Sequence, residues 1–175
     1  IIAIPTTAGS GSEATHFAVV YIDGIKHSLA NQCLLPNEVI LDGSLCASAT
    51  KYQKACNVLD AMSQAIESAW AVNATNESLK NSFKAVKECL KHFKSYVNET
   101  SDQLSCQGMI EASNLSGHAI NVAKTTSAHA WSYGLSTNFN VAHGHAVWAT
   151  LPSIYKIHLS NVPDERINDK RGKKH

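Results

Sequence analysis

The stretch Ala55-Cys56-Asn57-Val58-Leu59-Asp60-Ala61-Met62-Ser63-Gln64-Ala65-Ile66-Glu67-Ser68-Ala69-Trp70 carries apolar groups at Ala55, Leu59, Met62, Ala65, Ile66 and Trp70. That is the three- and four-residue spacing of one buried helical face, and it predicts a helix over residues 52 to 71. A second helix is expected where Leu79, Phe83, Val86, Leu90, Phe93 and Val97 recur by fours and threes, with Phe83 and Leu90 in the core and Lys80, Lys84, Lys87 and Lys91 on the solvated face. Ser101 is placed to cap a third helix through Ala119, and a fourth is expected from Thr126 to about Thr137. A fifth opens at His143-Gly144-His145 and is expected to close near Pro152 or shortly after, where the ring removes an N–H that the turn needs. From residue 51 onward the fold class is therefore mainly α.

Upstream the pattern changes. Ile1-Ile2-Ala3-Ile4 reads as a buried strand ended by Pro5, followed by the hydroxyl-rich loop Thr6-Thr7-Ala8-Gly9-Ser10-Gly11-Ser12-Glu13. Phe17 to Ile22 and Lys26 to Leu29 flank Asp23-Gly24, the dipeptide of a tight β-hairpin, and Val39-Ile40-Leu41 suggests one more short strand. The chain starts without Met inside an apolar run, which leads us to expect a fragment of a longer protein.

Composition narrows the function classes. With 44% hydrophobic and 17% charged residues, this is an ordinary globular composition, and a net charge of +1 offers no broad footprint for nucleic acid or an anionic membrane. The basic tail at 170 to 174 is too short to alter that. Cys33, Cys46, Cys56, Cys89 and Cys106 are scattered and odd in number, so neither a disulfide framework nor a zinc knuckle is indicated. The Asn-x-Ser/Thr triplets at Asn73, Asn76, Asn98 and Asn114 read as chance, because nothing resembles a signal peptide; a cytoplasmic setting is expected.

Several side chains stand at spacings that suit chemistry. Asp60 and Gln64 are four residues apart, so on a helix they project from one face toward a single ion or water; a helix cap or solvated polar pair satisfies the same spacing. His129 and Tyr133 repeat it, and His143 begins the next helix, so that imidazoles at both ends of one segment and a carboxylate elsewhere suit the mixed donor set of a divalent transition metal, while structural histidines satisfy the same spacing. The Thr6 to Glu13 loop suits either a nucleotide cradle or an ordinary turn. His16, His92, His118, His158 and His175 read as ordinary surface or core histidines, while His27 stays open.

In one order, Ile4-Pro5-Thr6-Thr7-Ala8-Gly9-Ser10-Gly11-Ser12-Glu13, Lys26-His27-Ser28, Leu35-Pro36, Ile40-Leu41-Asp42, Asp60-Ala61, Ala65-Ile66-Glu67 and His143-Gly144-His145-Ala146 resemble the iron-containing alcohol dehydrogenase family, also called group III. The likeness implies a two-domain architecture of the dehydroquinate synthase type, an α/β nucleotide-binding domain plus an all-α metal domain. Residues 1 to 50 would close the first, and residues 51 to 175 would form much of the second. It also implies a divalent metal, Fe²⁺ or alternatively Zn²⁺, at Asp60, Gln64, His129 and His143, and NAD(P)H against Thr6, Thr7, Gly9, Ser10 and Leu45. Most members have His where Gln64 stands, and an amide oxygen is a weaker donor than an imidazole nitrogen. Many have a catalytic His where Tyr133 stands, which leaves proton relay to the Tyr133 phenol, to His145, or to the nicotinamide ribose through water.

The wording Ser63-Gln64-Ala65-Ile66-Glu67-Ser68-Ala69-Trp70, with Lys124 to Tyr133 and His143 to Val147, is similar to a branch of that family that reduces phosphonoacetaldehyde to 2-hydroxyethylphosphonate. An anionic substrate of that kind needs donors, which the likeness places at Lys124, Thr125, Thr126 and Ser132; Lys124 serves equally well as a surface charge ending a helix. The expected partner is a small aldehyde or alcohol, with no nucleic acid and no membrane, and the full-length protein is expected to be a homodimer. Two alternatives stand beside this reading: a non-catalytic helical module without metal, and a polyol dehydrogenase of the same superfamily.

Overall fold

A computed structural model describes residues 1–23, 25–98 and 102–160. The N-terminal part holds four short strands, β1 (Ile2–Ala3), β2 (Phe17–Ile22), β3 (Ile25–Ala30) and β4 (Glu38–Val39). β1 pairs in parallel with β4, while β2 and β3 form the expected antiparallel hairpin with Ile22 opposite Ile25. Asp23 has φ of 51°, the left-handed backbone that a two-residue hairpin turn demands; Gly24 lies outside the described residues. The first strand corrects its expectation: Ile1, Ile2 and Ile4 are 67%, 61% and 51% exposed, because β4 is its one pairing neighbour among the described residues.

Five helices follow: α1 (Lys51–Trp70), α2 (Asn76–Asn98), α3 (Gln103–Ala123), α4 (Ser127–Phe139) and α5 (His143–Leu159). Thr50 and Gln53 close a reciprocal capping box at the start of α1, satisfying two backbone donors that the first turn leaves open. Asp102 caps α3 through Leu104 and Ser105; the cap expected at Ser101 lies outside the described residues, as do His175, the basic tail and the end of the Asn98 triplet.

Two expectations about the helices are overturned. Phe83 and Leu90 are 67% and 57% exposed, and the buried face of α2 is Ser78, Ser82, Ala85, Cys89, His92 and Tyr96. This is the same four-and-three rhythm moved by one residue. Small side chains let α2 lie close on α1 and α3, as the 2.8 Å contact between Ser82 Oγ and Ser68 Oγ shows. The four lysines are exposed as expected. α5 runs through Pro152 to Leu159 rather than closing at or shortly after the proline. Leu151 and Ile154, both buried, pack with Val147 and Ala128 against Ile66 and Trp70, and this burial outweighs one lost backbone hydrogen bond. Gly144 lets α5 begin against α1: a Cβ there would collide with the Cys56 carbonyl.

Candidate metal centre

Asp60, Gln64 and Glu67 occupy one face of α1, four and then three residues apart, and all are buried, at 7%, 4% and 0% exposure. Buried polar groups need partners. Glu67 finds its partners at the start of α4. It accepts backbone N–H groups from Thr126 at 3.2 Å, Ala128 at 2.9 Å and His129 at 3.3 Å, together with the Thr126 hydroxyl and the Nδ1 side of His129. A carboxylate thus sits at the positive end of the α4 dipole. Burial by itself would raise Glu67, but hydrogen bonding to His129, the His129 charge, Thr126 and the Ala128 N–H hold it below the usual carboxylate range.

With Nδ1 taken by Glu67, the other nitrogen of His129 turns to Asp60, with Nε2 3.3 Å from Oδ1. Burial pulls this imidazole down, yet hydrogen bonds to Asp60 and Glu67 and their charges push it up to about 9. His143, at the first position of α5, brings Nε2 to 3.8 Å from the same Asp60 oxygen and meets His129 edge-on, ring centroids 5.5 Å apart. Its Nδ1 lies 3.3 Å from Ser132 Oγ, and its other face stacks on Tyr133, centroids 6.1 Å apart and planes 7° from parallel. One donor atom each from Asp60, His129 and His143 falls within 4.8 Å of the others. One carboxylate oxygen and two imidazole nitrogens so arranged fit Fe²⁺ or Zn²⁺. Gln64 stands beside them, its Nε2 3.2 Å from Asp60 Oδ1.

Gln64, His129, His143 and Tyr133 wall a cleft of about 780 Å³ shared with Ser10, Ser12 and Thr15 of the upstream loop, the β2–β3 hairpin, and Lys124 and Thr125 at the turn between α3 and α4. Lys124 has φ of 68° and ψ of 172°, a backbone region that side chains other than glycine rarely enter and that costs about 1–3 kcal/mol. The structure therefore gathers Asp60, Gln64, His129, His143, Tyr133, Lys124, Thr125 and Ser10 around one space. Other expected site residues are engaged elsewhere. Thr126 bonds Glu67 and the Trp70 indole N–H, the latter at 2.8 Å, and Ser132 is buried with its hydroxyl 2.7 Å from the His129 carbonyl. His145 is exposed and pairs with the Tyr52 hydroxyl at 3.1 Å, outside the lining of the cleft. Thr6 and Thr7 are exposed, Leu45 is 42% exposed, and Gly9 is buried against Asn57.

Glu67, and Ser116 of α3 with its Oγ 3.0 Å from Gln64 Oε1, were not anticipated as site residues. Glu67 had a signal, since it lies seven residues after Asp60, two turns along the same helical face. Ser116 had none in local spacing. Of the remaining histidines, His92 pairs with Glu88 at 3.3 Å, His16 Nδ1 meets Asn121 Oδ1 at 2.5 Å, and His158 stacks on Trp70, consistent with ordinary structural roles.

A helical bed that presents a carboxylate and two imidazoles to a cleft beside a hydroxyl-rich loop defines a metal-site class of fold. The family pattern described as Fe-containing alcohol dehydrogenase family, C-terminal, matches residues 54–171, and that of iron-containing alcohol dehydrogenase matches residues 1–43. This chain belongs to the iron-containing alcohol dehydrogenase family. It is 33% identical to phosphonoacetaldehyde reductase of Streptomyces viridochromogenes, over 100% of this chain and 45% of that protein. It is 32% identical to the probable alcohol dehydrogenase EutG of Escherichia coli K12, over 88% of this chain and 40% of that one. The crystal structure of sulfoacetaldehyde reductase from Bifidobacterium kashiwanohense in complex with NAD+ superposes with a TM-score of 0.89 and 32% identity, over 95% of this chain and 44% of its own. The chain thus spans under half the length of these relatives. Among the described residues no helix is long and apolar enough to cross a membrane.

Proposed function

We propose that the full-length protein is a metal-dependent reductase that transfers hydride from NAD(P)H to a small aldehyde, with phosphonoacetaldehyde as the substrate and 2-hydroxyethylphosphonate as the product. The observation that carries this reading is the meeting of Asp60, His129 and His143 donor atoms within 4.8 Å, where the two imidazoles line the cleft. These three residues would hold Fe²⁺ or Zn²⁺, with Gln64 in reach as a fourth. When bound, the ion supplies Lewis acidity to a carbonyl oxygen and the nicotinamide supplies the hydride.

The chain's own residues divide the remaining work. Glu67 takes the Nδ1 side of His129 and leaves Nε2 as the donor; Ser132 engages Nδ1 of His143 in the same sense. Tyr133, stacked on His143 in the cleft, is positioned to deliver a proton from its phenol to the product oxygen, and the geometry favours it over His145, which is paired with Tyr52. Lys124 and Thr125 give the cleft a cation and a hydroxyl to receive a phosphonate. Ser10 offers the loop's hydroxyl to the same cleft, and the cofactor is proposed to lie along this loop with Thr6, Thr7, Gly9 and Leu45. By family likeness we take the full-length protein to be a cytoplasmic homodimer.

The test is turnover of the full-length protein with phosphonoacetaldehyde and with acetaldehyde, each with NADH and NADPH. A higher kcat/KM for phosphonoacetaldehyde is expected, along with a selective loss of that preference in Lys124→Ala. Equal kcat/KM for both aldehydes removes the phosphonate assignment. No turnover of any small aldehyde overturns the reductase reading.

A further inference from the structure

Gln64 and Ser116 are shut off from solvent, at 4% and 0% exposure, and meet between α1 and α3. Ser116 Oγ lies 3.0 Å from Gln64 Oε1 and 2.7 Å from the carbonyl oxygen of Ser113, one turn back on α3. A serine hydroxyl has one proton, so it can donate to only one of these two oxygens. At the far end of the amide, Nε2 faces Asp60 Oδ1 at 3.2 Å, an oxygen already faced by His129 Nε2 at 3.3 Å and His143 Nε2 at 3.8 Å. In this sense the amide leaves one oxygen at Ser116 without a proton while crowding donors around Asp60.

A half-turn about the last torsion of Gln64 exchanges its oxygen and nitrogen with no change of shape. Nε2 then donates to Ser116 Oγ, the hydroxyl donates to the Ser113 carbonyl, and each proton at that end has one acceptor. The amide oxygen now faces Asp60 Oδ1. Two oxygens so placed repel one another unless a cation lies between them.

We infer that Ser116 is a positioning residue that turns the Gln64 carbonyl toward the divalent ion held by Asp60, His129 and His143. The donor set is then two imidazole nitrogens and two oxygens, in place of the three nitrogens and one oxygen that a histidine at position 64 would give. The inference rests on the metal reading above and adds to it a residue on a helix that carries no other proposed ligand. An oxygen-richer set is harder, so preference for Zn²⁺ over Mn²⁺ narrows relative to Gln64→His.

Zn²⁺ and Mn²⁺ affinities of the full-length protein by titration calorimetry, with visible absorption of the Co²⁺ form, test this. Ser116→Ala is expected to weaken Zn²⁺ binding about tenfold, as loss of a group that orients a ligand does, and to change the Co²⁺ spectrum. Because Ser116 acts through Gln64, Gln64→Ala with Ser116→Ala binds no more weakly than Gln64→Ala alone. In Gln64→Glu an oxygen faces the ion in either sense, so adding Ser116→Ala there costs little; this background separates orientation from packing damage. An unchanged affinity and spectrum in Ser116→Ala, additive losses in the double variant, or an equal loss in the Gln64→Glu background overturns the inference while leaving the metal reading intact. A wild-type protein that binds no ion, or binds it undiminished in Asp60→Ala, defeats the metal reading and this inference with it.

Discussion

His129, with a side chain 5% exposed, is fixed between two carboxylates, whereas His143, at 42%, leans on a hydroxyl and an aromatic ring at the lip of the cleft. The inner imidazole is held by two carboxylates and by the N-terminus of its own helix; the outer one is held by a neutral hydrogen bond, a stacking face and a longer 3.8 Å approach to Asp60. One side of the centre is thus rigid and woven into the fold, and the other is open to a reactant and more tolerant of change. Substitutions that touch Glu67 test the first half of this contrast, and those at Ser132 and Tyr133 test the second.

The largest effect is expected from Glu67→Ala. It strips the acceptor from three backbone N–H groups and from His129, so urea unfolding should show a loss of about 3–5 kcal/mol, and ion binding should disappear with it. Tyr133→Phe should leave ion affinity intact and lower kcat by about 10²-fold, as removal of a positioned proton donor does. His145→Ala should change neither. Ser132→Ala should weaken ion binding by less than about tenfold, less than Glu67→Gln under the same titration, because its bond to His143 is neutral and partly solvated. A larger loss at Ser132 than at Glu67 would invert the comparison.

The effect that is smallest near neutral pH concerns a buried group whose shift comes from burial and not from a partner of opposite charge. Cys89 is pushed up from 9.0 to about 12 by burial, with the Glu88 charge adding to it. The folded state keeps this thiol neutral while the unfolded chain ionises it. Its contribution is therefore complete below pH 9 and declines as pH rises toward about 12, by ~1.4 kcal/mol at pH 10. Denaturant titrations from pH 8 to 10 should show this slope in the wild type and a shallower one in Cys89→Ala.

Much of the helical order could be read directly from the chain, because apolar periodicity and caps act locally. α1 begins and ends within one residue of its expected bounds, and the hairpin register follows from Asp23-Gly24. Reading the inward face of α2 failed for a definite reason: hydrophobicity ranks Phe83 and Leu90 above Ser78, Ser82 and Ala85, but close helix packing selects for smallness. Pro152 misled in the opposite way, since a local rule yielded to the packing of Leu151 and Ile154. At the centre, Asp60, His129 and His143 were visible as chemistry-bearing types at telling intervals. Of the partners that aim them, Glu67 shared the Asp60 face at a seven-residue interval, but neither its donors nor Ser116 could be read from spacing. Glu67 meets its donors 59 to 62 positions away, and Ser116 reaches Gln64 across 52, distances at which spacing carries no signal.

Gly11, at φ of 58°, and Gly117 touch backbone to backbone, so that a methyl group on either would enter the other's main chain, and the Gly11 N–H reaches Ser113 Oγ at 3.1 Å. The loop that follows β1 is thereby bolted to the same stretch of α3 that carries Ser116. The gap between whatever rests on that loop and whatever Asp60 grips is consequently gauged by the thickness of bare polypeptide. Side-chain drift on either wall would reshape the chamber without altering that gauge.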